Sequence, residues 1–308
     1  VVLGAHYDHL GFGGRASLAP DSHAPHLGAD DNASGVAGVL EATRMLLAQQ
    51  TALRRDVVVT AFSGEELGTL GSSAFARTPP GGLSMKDVVA MVNLDMVGRL
   101  RGNRLAVLGV ESSPAWRPWL ESACAGSRVA CEGSGDGYGP SDHTPFYAAG
   151  VPVVHLFTGA HADYHKPSDS ADRVHAGGLA QVAAVAAALV RQASASPARP
   201  EWRKAPQPAP AGDLRSFNAS LGTVPDYAPP EGTKGVLLAG VRAGGGAEAA
   251  GMQRGDVLVK LGTFDITGVE DLMFALNASK PGQTVTAVVL RDGKRVELKA
   301  TFQESKRR

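Results

Sequence analysis

Five short aliphatic runs before residue 158 constrain the fold of this chain more than any other feature. They are VVLGA (1–5), DVVVTAF (56–62), VVAMVNL (88–94), LAVLG (105–109) and VPVVHLF (151–157). Because their apolar residues are mostly continuous rather than alternating, they predict strands buried on both faces, as in a sheet covered by helices on each side. The first part of the chain is therefore predicted to be an α/β domain.

Two helices are predicted alongside these strands. The first begins behind Ser34, a residue type that favours helix N-termini. Its side chains at three- and four-residue spacing are Val36, Val39, Leu40, Thr43, Leu46 and Leu47, and we expect them to face the sheet. The second runs from about 178 to 192. Its apolar run, 178–190, is shorter than the roughly 18 residues that a membrane-spanning helix needs, so no transmembrane segment is predicted.

A proline-rich stretch divides the chain into two domains. Residues 194–212 contain five prolines and few aliphatic side chains, which is typical of an extended linker. We place the first domain at 1–195, the linker at 196–212 and a second domain at 213–304. In the second domain, Asp292-Gly293 is a strong signal for a tight turn between two strands, and the pattern predicts a small β-rich fold.

Charge and cysteine content exclude several classes of protein. Lys+Arg and Asp+Glu number 30 each, so no net charge favours binding to nucleic acid or to an anionic membrane surface. With only Cys124 and Cys131, a disulfide-rich scaffold and a four-cysteine zinc site are both excluded. These two cysteines either form one short-loop disulfide in an oxidising compartment or stay reduced, and the sequence leaves both options open.

Residue types that bind metals follow three of the predicted strands. They are His6 and Asp8 after the first run, Glu65 and Glu66 after the second, and Asp95 after the third. Two loops, GADDNASG (28–35) and DYHKPSD (163–169), contribute further candidates. Ligand sites in open α/β sheets gather at the carboxyl ends of the strands, so we expect these side chains to lie close together.

Such a cluster requires cations. Carboxylates brought together without compensation repel one another and raise one another's pKa. Imidazole and carboxylate ligands without thiolate suit zinc, with manganese or cobalt as alternatives.

The ordered motifs resemble those of the co-catalytic di-zinc aminopeptidase family, which includes bacterial leucyl aminopeptidases and glutamate carboxypeptidases. The motifs are AHYDH, GADDNASG, SGEELGTLGS, VNLDMVG, SDHTPF and DYHKPSD, and they cover residues 1 to 192. The resemblance implies a mixed, mostly parallel sheet flanked by helices, the zinc-exopeptidase (phosphorylase/hydrolase-like) fold. It also implies two zinc ions as cofactors and peptides as substrates.

The resemblance assigns a role to each motif. It implies that His6 and Asp95 hold one zinc ion, that Glu66 and His165 hold the other, and that Asp31 bridges both. Glu65 is then the general base that acts on a water bridging the two ions. The family often has a cis peptide after the bridging residue, which here is the bond between Asp31 and Asn32.

Further residues near these motifs have less definite roles. Asp8 is expected to accept the second imidazole N–H of His6, with a plain turn residue as the alternative. Tyr164 matches a family position near the substrate carbonyl, where its hydroxyl would stabilise the oxyanion; a packed aromatic is the alternative. Asp142 is expected to support the metal ligands without binding a metal ion itself. For His23 and His26 we expect a surface location rather than a metal site.

The second domain resembles a PDZ domain of the bacterial, protease-associated kind. The resemblance rests on GVLLAGVRAGGGAEAAGMQRGDVLVKLGTFDITGVEDLMFALN, with SLGTV (220–224) as the expected carboxylate-binding loop. Such domains bind extended C-terminal peptides beside a sheet edge; packing without a ligand is the alternative.

The sequence thus predicts a zinc-dependent metallo-aminopeptidase whose PDZ domain binds peptides or regulates activity. A carboxypeptidase or dipeptidase on the same site, and an inactive peptide-binding adaptor, are the alternatives. Because the chain opens inside a predicted strand, we expect upstream residues in the full protein. By resemblance, we expect a secreted or periplasmic location.

Overall fold

The structure is a computed structural model that divides into two compact units. It describes residues 1–14, 16–19, 21–48, 53–135, 137–159, 161, 163–204, 219–225, 233–267, 271–272, 275–276 and 279–304. The first unit comprises Val1–Gly159 with Asp163–Pro206, and the second comprises the remainder. The proposed linker at 196–212 lies outside the described residues from 205 onward.

The first unit alternates strands and helices. Its strands are β1 (Val2–His6), β2 (Val58–Phe62), β3 (Met91–Leu94), β4 (Arg104–Leu108), β5 (Ala130–Ser134) and β6 (Val153–Phe157). Its helices are α1 (Gly35–Ala48), α2 (Leu70–Arg77), α3 (Trp116–Ser127), α4 (His143–Ala148) and α5 (Ala176–Ala195). The five predicted strands are confirmed. β5 escaped prediction because its sequence, ACEGS, has no aliphatic run.

The strands form one sheet in the order β2-β1-β3-β6-β4-β5. All neighbouring pairs are parallel except β4 with β6, which is antiparallel. The expected mixed, mostly parallel α/β sheet is therefore confirmed. Because β1, β2, β3 and β6 run in the same direction, their carboxyl ends share one edge of the sheet.

Each face of this sheet buries a separate apolar core. Successive strand residues point to opposite faces, so Leu3 and Val92 lie in the core under α1, α3 and α5, whereas Val2 and Met91 lie in the core under α2 and α4. The result is three layers, helix on sheet on helix, which explains why the strand sequences are apolar throughout.

Helix α1 corrects two details of the sequence prediction. Its buried face contains Gly38, Val39, Ala42 and Leu46, whereas Leu40 and Leu47 are 64% and 82% exposed. Small residues let the helix approach the sheet closely, which a search for large apolar side chains overlooks. The side chain at the N-terminus of this helix is that of Asn32 and not that of Ser34, since the N–H of the first helical residue, Gly35, donates to Asn32 Oδ1 (2.9 Å).

Helix α5 is 20 residues long, and length and composition alone would allow it to cross a membrane. It packs instead against α1 and α3, with Val182, Val185 and Leu189 fully buried among the described residues. These features are those of a core helix.

Cys124 and Cys131 form a disulfide, with their Cα atoms 6.0 Å apart. It joins the end of α3 to β5 at the edge of the sheet, which decides between the two options that the sequence left open.

The second unit is β-rich, as predicted. Its elements are β7 (Ala219–Ser220), β8 (Thr223–Pro225), β9 (Val236–Val241), α6 (Gly246–Ala249), β10 (Val257–Leu261), β11 (Phe264–Asp265), β12 (Thr284–Arg291), β13 (Lys294–Thr301) and β14 (Gln303–Glu304). The main sheet has the order β13-β12-β10-β9-β8. The predicted turn is confirmed, since Asp292 and Gly293 join β12 to β13 with φ of 50° and 76°. Much of the predicted late helix lies outside the described residues.

Candidate metal centre

Two groups of side chains meet at the carboxyl edge of the sheet in the first unit. In the first group, His6 Nε2 lies 3.4 Å from Asp31 Oδ1 and 3.4 Å from Asp95 Oδ1. In the second, His165 Nε2 lies 3.1 Å from Asp31 Oδ2 and 3.2 Å from Glu66 Oε2. The structure therefore brings together all five residues that the family motifs single out, and Asp31 directs one carboxylate oxygen to each group.

The strands and loops explain why these five side chains converge. His6 ends β1 and Asp95 directly follows β3, so parallel pairing places both at one edge. Glu66 lies in the turn after β2. Asp31 and His165 come from loops that close over this edge. The Asp31–Asn32 peptide bond is cis, which confirms the prediction.

Asp169 holds the loop that carries Asp31. Its Oδ2 accepts the backbone N–H groups of Asp30 (2.8 Å) and Asp31 (3.0 Å), and its Oδ1 accepts from Arg99 (2.8 Å). Asp30 is itself turned away from the site, where its Oδ1 accepts from Gly98 N (2.6 Å). Of the two adjacent aspartates, only Asp31 is available to the cluster.

Asp8 supports the site differently from the prediction. The His6 Nδ1–H donates to the backbone carbonyl of Asp8 (3.1 Å), whereas the Asp8 carboxylate is 3.7 Å away, beyond hydrogen-bond distance. The carboxylate instead accepts the N–H groups of Glu65 (3.1 Å) and Glu66 (3.3 Å). Its backbone thus orients His6, and its side chain fixes the turn that carries both glutamates.

A buried chain of hydrogen bonds orients Asp95. Asn93 Nδ2 donates to His155 Nδ1 (3.0 Å) and to Ser141 Oγ (2.8 Å), and Ser141 donates to Asp95 Oδ2 (2.8 Å). Asp95 Oδ1 is buried and has no hydrogen-bond partner in the described chain. This arrangement leaves the unpartnered oxygen facing His6.

His155 gives this chain a measurable pH dependence. Burial lowers the pKa of His155 to about 4, so as pH falls below 6.5 the unfolded state takes up a proton that the folded state refuses. Stability that is present above pH 6.5 is lost toward pH 4, by about 2 kcal/mol at pH 5. Urea unfolding measured at pH 7.5 and at pH 5 tests this. Between these two pH values, the free energy of unfolding of His155→Gln should fall by about 2 kcal/mol less than that of the parent chain. Equal losses would contradict the assignment.

The loop at 16–18 orients His165. Ala16 O accepts from His165 Nδ1 (2.8 Å), and the Leu18 N–H donates to the His165 carbonyl (2.9 Å). This loop is tied to His26, whose Nε2 pairs with Ser17 Oγ (2.8 Å). His26 is buried, so the surface location predicted for it is wrong, whereas His23 is exposed as expected.

Electrostatics fit a cation-binding cluster. Burial alone would raise the pKa of Asp31, but hydrogen bonds from His165 and His6 outweigh it and lower that pKa to about 2. Burial likewise opposes the charge on His165, yet Asp31 and Glu66 raise its pKa to about 10. Both pKa shifts reflect the close approach of imidazole and carboxylate groups in this cluster.

Glu65 is electrostatically distinct from its neighbour Glu66. Burial raises the pKa of Glu65 well above its usual value, His6 opposes the rise, and Asp95 and Asp142 add to it. Hydrogen bonds from His165 and His9 overcome burial and lower the pKa of Glu66 to about 2. The carboxyl pKa values of these adjacent glutamates are thus shifted in opposite directions.

Tyr164 and His143 each make a ring-stacking contact with a histidine near the centre. Tyr164 stacks on His165 with ring centroids 3.8 Å apart. His143 stacks on His155 at 4.7 Å, next to the fully buried Asp142.

The donor set fits zinc. Two ligand atoms about 2.0–2.1 Å from a zinc ion at a tetrahedral angle lie about 3.3–3.4 Å apart. The four distances from the Nε2 atoms of His6 and His165 to the facing carboxylate oxygens are 3.1–3.4 Å. The buried, unpartnered Oδ1 of Asp95 is an atom that a cation would satisfy. Imidazole and carboxylate donors without thiolate are also a zinc set.

Sequence reasoning missed four residues that the structure places around the centre: His9, Asn93, Ser141 and His155. His9 Nδ1 lies 2.7 Å from Glu66 Oε1. His9, Asn93 and Ser141 lie within the motifs AHYDH, VNLDMVG and SDHTPF, which was the available signal for them. His155 lies in the apolar run VPVVHLF, which indicates only packing.

In the second unit, residues 221 and 222 link β7 to β8. β8 pairs with β9 and lies at the edge of the described sheet. Gly222 has a φ of 73°, which favours glycine, and its carbonyl accepts from Arg242 N (2.7 Å). The buried Asp256 of the Gly-Met-x-x-Gly-Asp turn is held by a two-pronged contact with Arg291, 2.8 Å at each oxygen.

Comparison with known proteins gives two family matches. A family model described as Peptidase family M28 matches residues 1–190, and one described as PDZ domain matches residues 218–301. Among curated relatives, Aminopeptidase YwaD of Bacillus subtilis (strain 168) is 29% identical over 226 residues, which are 70% of this chain and 45% of that protein. Leucine aminopeptidase 1 of Arthroderma otae is 41% identical over 107 residues, 33% of this chain and 26% of that protein.

Solved structures agree with the family match. BSAP, a zinc aminopeptidase from Bacillus subtilis, superposes with a TM-score of 0.52 at 27% identity, covering 69% of this chain and 48% of that one. The peptidase M28 precursor from Shewanella amazonensis gives a TM-score of 0.51 at 25% identity, covering 67% and 43%. The chain spans less than half the length of these relatives.

Proposed function

The chain belongs to peptidase family M28, and from this premise we propose that it is a zinc-dependent aminopeptidase that releases N-terminal residues from peptides. The observation that carries the proposal is the position of Asp31, whose two oxygens lie 3.4 Å from His6 Nε2 and 3.1 Å from His165 Nε2. Relatives named as aminopeptidases support the reaction class.

We assign two zinc ions to the two groups. His6 and Asp95 would hold one ion, Glu66 and His165 the other, and Asp31 both. When bound, zinc lowers the pKa of a water molecule and polarises the scissile carbonyl. Zinc sites with an imidazole and two carboxylates leave a coordination position free for substrate or water.

Glu65 is the proposed general base. Its buried position and the nearby carboxylates raise the pKa of its carboxyl group, and a raised pKa is the direction that favours a carboxylate as a proton acceptor. A Glu65 oxygen takes the proton from the attacking water and then delivers it to the leaving amine nitrogen. The Asp8 carboxylate accepts the backbone N–H of Glu65, which fixes the backbone that carries the Glu65 side chain.

Tyr164 is the proposed donor to the oxyanion. Its ring is held against His165, which places the side chain beside the second group. A phenolic O–H aimed at the carbonyl oxygen would stabilise the charge that develops there.

For the second unit we propose binding of peptide C-termini at β8. A PDZ family match and the position of β8, which pairs with β9 on one side and ends the order of the described sheet, support this mode, in which an extended peptide adds a strand. The Cys124–Cys131 disulfide supports a location in an oxidising compartment, outside the cytoplasm. Thiol alkylation before and after reduction of the native protein tests that location.

One peptide prepared with each terminus either free or blocked, in all four combinations, tests both the aminopeptidase activity and the binding at β8. The free peptide and its C-terminal amide should lose N-terminal residues, whereas the N-acetylated forms should not be cut. Release of C-terminal residues from the acetylated peptide would instead identify a carboxypeptidase. With turnover stopped by Glu65→Gln, the acetylated peptide with a free C-terminus should bind and the doubly blocked one should not. Equal binding of both would contradict the role given to β8.

A further inference from the structure

His9 lies closer to its carboxylate partner than the other two histidines of the cluster lie to theirs. His9 Nδ1 is 2.7 Å from Glu66 Oε1, whereas the Nε2 atoms of His6 and His165 are 3.1–3.4 Å from the carboxylate oxygens that face them. The longer distances suit two atoms that share a zinc ion, and 2.7 Å suits a direct, charge-assisted hydrogen bond. His9, Asp31 and Glu66 are close enough together to hold a metal ion, but His9 Nδ1 is 4.0 Å from Asp31 Oδ2, beyond hydrogen-bond distance. The short contact therefore assigns His9 to Glu66 rather than to an ion.

This hydrogen bond gives the two oxygens of the Glu66 carboxylate different partners. A carboxylate only accepts, so Nδ1 of His9 carries the proton and donates it to Oε1. The other oxygen, Oε2, faces His165 Nε2 at 3.2 Å. Rotation of the carboxylate would break the bond to His9, so Oε2 is kept on the metal side.

The His9 ring is itself fixed in place. A Cβ added at Gly28 would lie 2.6 Å from His9 Cγ, so the backbone ahead of Asp31 leaves room for this ring only because residue 28 is glycine. The ring meets His165 edge-on at 5.7 Å. Its Nε2 is buried without a hydrogen-bond partner in the described chain, which makes Glu66 the polar contact that sets its orientation.

We propose that His9 is a positioning residue that holds Glu66 in the orientation required by the second zinc ion. The inference rests on the proposed di-zinc centre and extends it with a residue outside the five family ligands. Partners that orient a metal ligand contribute about 10- to 100-fold to metal affinity.

Zinc affinity of the whole chain tests the proposal without relying on activity. Zinc is titrated against a chromophoric chelator for the parent chain and for His9→Asn, His9→Gln and His9→Ala. Asn places an amide nitrogen where Nδ1 lies and keeps the donor, whereas Gln mimics Nε2 and Ala removes the ring. We expect His9→Gln and His9→Ala to weaken one of two sites by about 10- to 100-fold, and His9→Asn to stay within a few-fold of the parent chain.

Controls separate this role from others. His23→Ala, in an exposed part of the neighbouring loop, should bind like the parent chain, and metal-free melting identifies any variant that fails to fold. In a Glu66→Ala background, His9→Gln should cause no further loss.

Three outcomes would overturn the proposal. The first is a zinc affinity of His9→Gln equal to that of the parent chain. The second is a loss of zinc affinity in His9→Asn as large as in His9→Ala, which would make the imidazole itself a ligand. The third is a further loss of zinc affinity when His9→Gln is added to Glu66→Ala. A parent chain that binds fewer than two zinc ions would instead refute the di-zinc centre, and this inference with it.

Discussion

Replacing Glu65 with Gln should lower kcat by about 10²- to 10⁴-fold while zinc binding is preserved. Gln keeps the size of the side chain but cannot take up a proton, and loss of a positioned base has an effect of this magnitude. Glu65 is adjacent to Glu66 in sequence but is not one of the five proposed ligands, so the substitution should leave both ions in place. Steady-state kinetics on an amino-acid amide, with zinc content measured on the same samples, gives both values.

Glu121→Gln is the matched control because Glu121 is exposed on α3, and it should leave kcat unchanged. A Glu65→Gln variant that retains more than a tenth of the parent kcat would remove Glu65 from the role of general base. A variant that loses zinc would place Glu65 among the ligands instead.

Asp31→Asn should weaken both zinc sites, by more than the roughly 10- to 100-fold caused by loss of a supporting partner. An amide has one acceptor oxygen where the carboxylate offers two, and the two oxygens of Asp31 face different groups. Activity should fall together with zinc content and recover only partly in excess zinc. Chelator competition measures the affinities, and an assay at rising zinc concentration measures the recovery.

Asp30→Asn is a demanding control, since it changes the adjacent, equally buried aspartate. The Asp30 carboxylate accepts from Gly98 N and Ser34 Oγ, so this variant should unfold at lower temperature yet still bind two zinc ions when folded. If Asp30→Asn loses zinc and Asp31→Asn keeps it, the choice between the two residues is wrong.

The sequence was sufficient to locate the strands and the cluster because the same physics produces both signals. A strand buried on both faces must be apolar, and a metal ligand placed at its end must be polar, so His6 and Asp95 appear as breaks at the ends of apolar runs. The family motifs then added Asp31 and His165, whose loops carry no periodic pattern. The Asp31–Asn32 cis bond followed from that resemblance alone.

Other features depend on tertiary contacts that leave no local signal. Leu40 and Leu47 have the spacing of a buried face, but α1 turns Gly38 and Ala42 to the sheet because close approach favours small residues. His26 lies in a loop with no predicted strand to position it, yet it is buried and its Nε2 pairs with Ser17 Oγ. The pairing of Asp8 with two backbone amides likewise requires knowing where β2 ends.

The contact of Asp169 with the backbone of Asp30 and Asp31 has a consequence for redesign of this chain. One side chain fastens the segment that carries His165 to the segment that carries the shared aspartate. Grafting a foreign 163–169 loop to alter selectivity would therefore disturb the opposite half of the centre as well, unless an acidic residue is retained at 169. Variants from such libraries should be screened for bound metal before they are ranked by turnover.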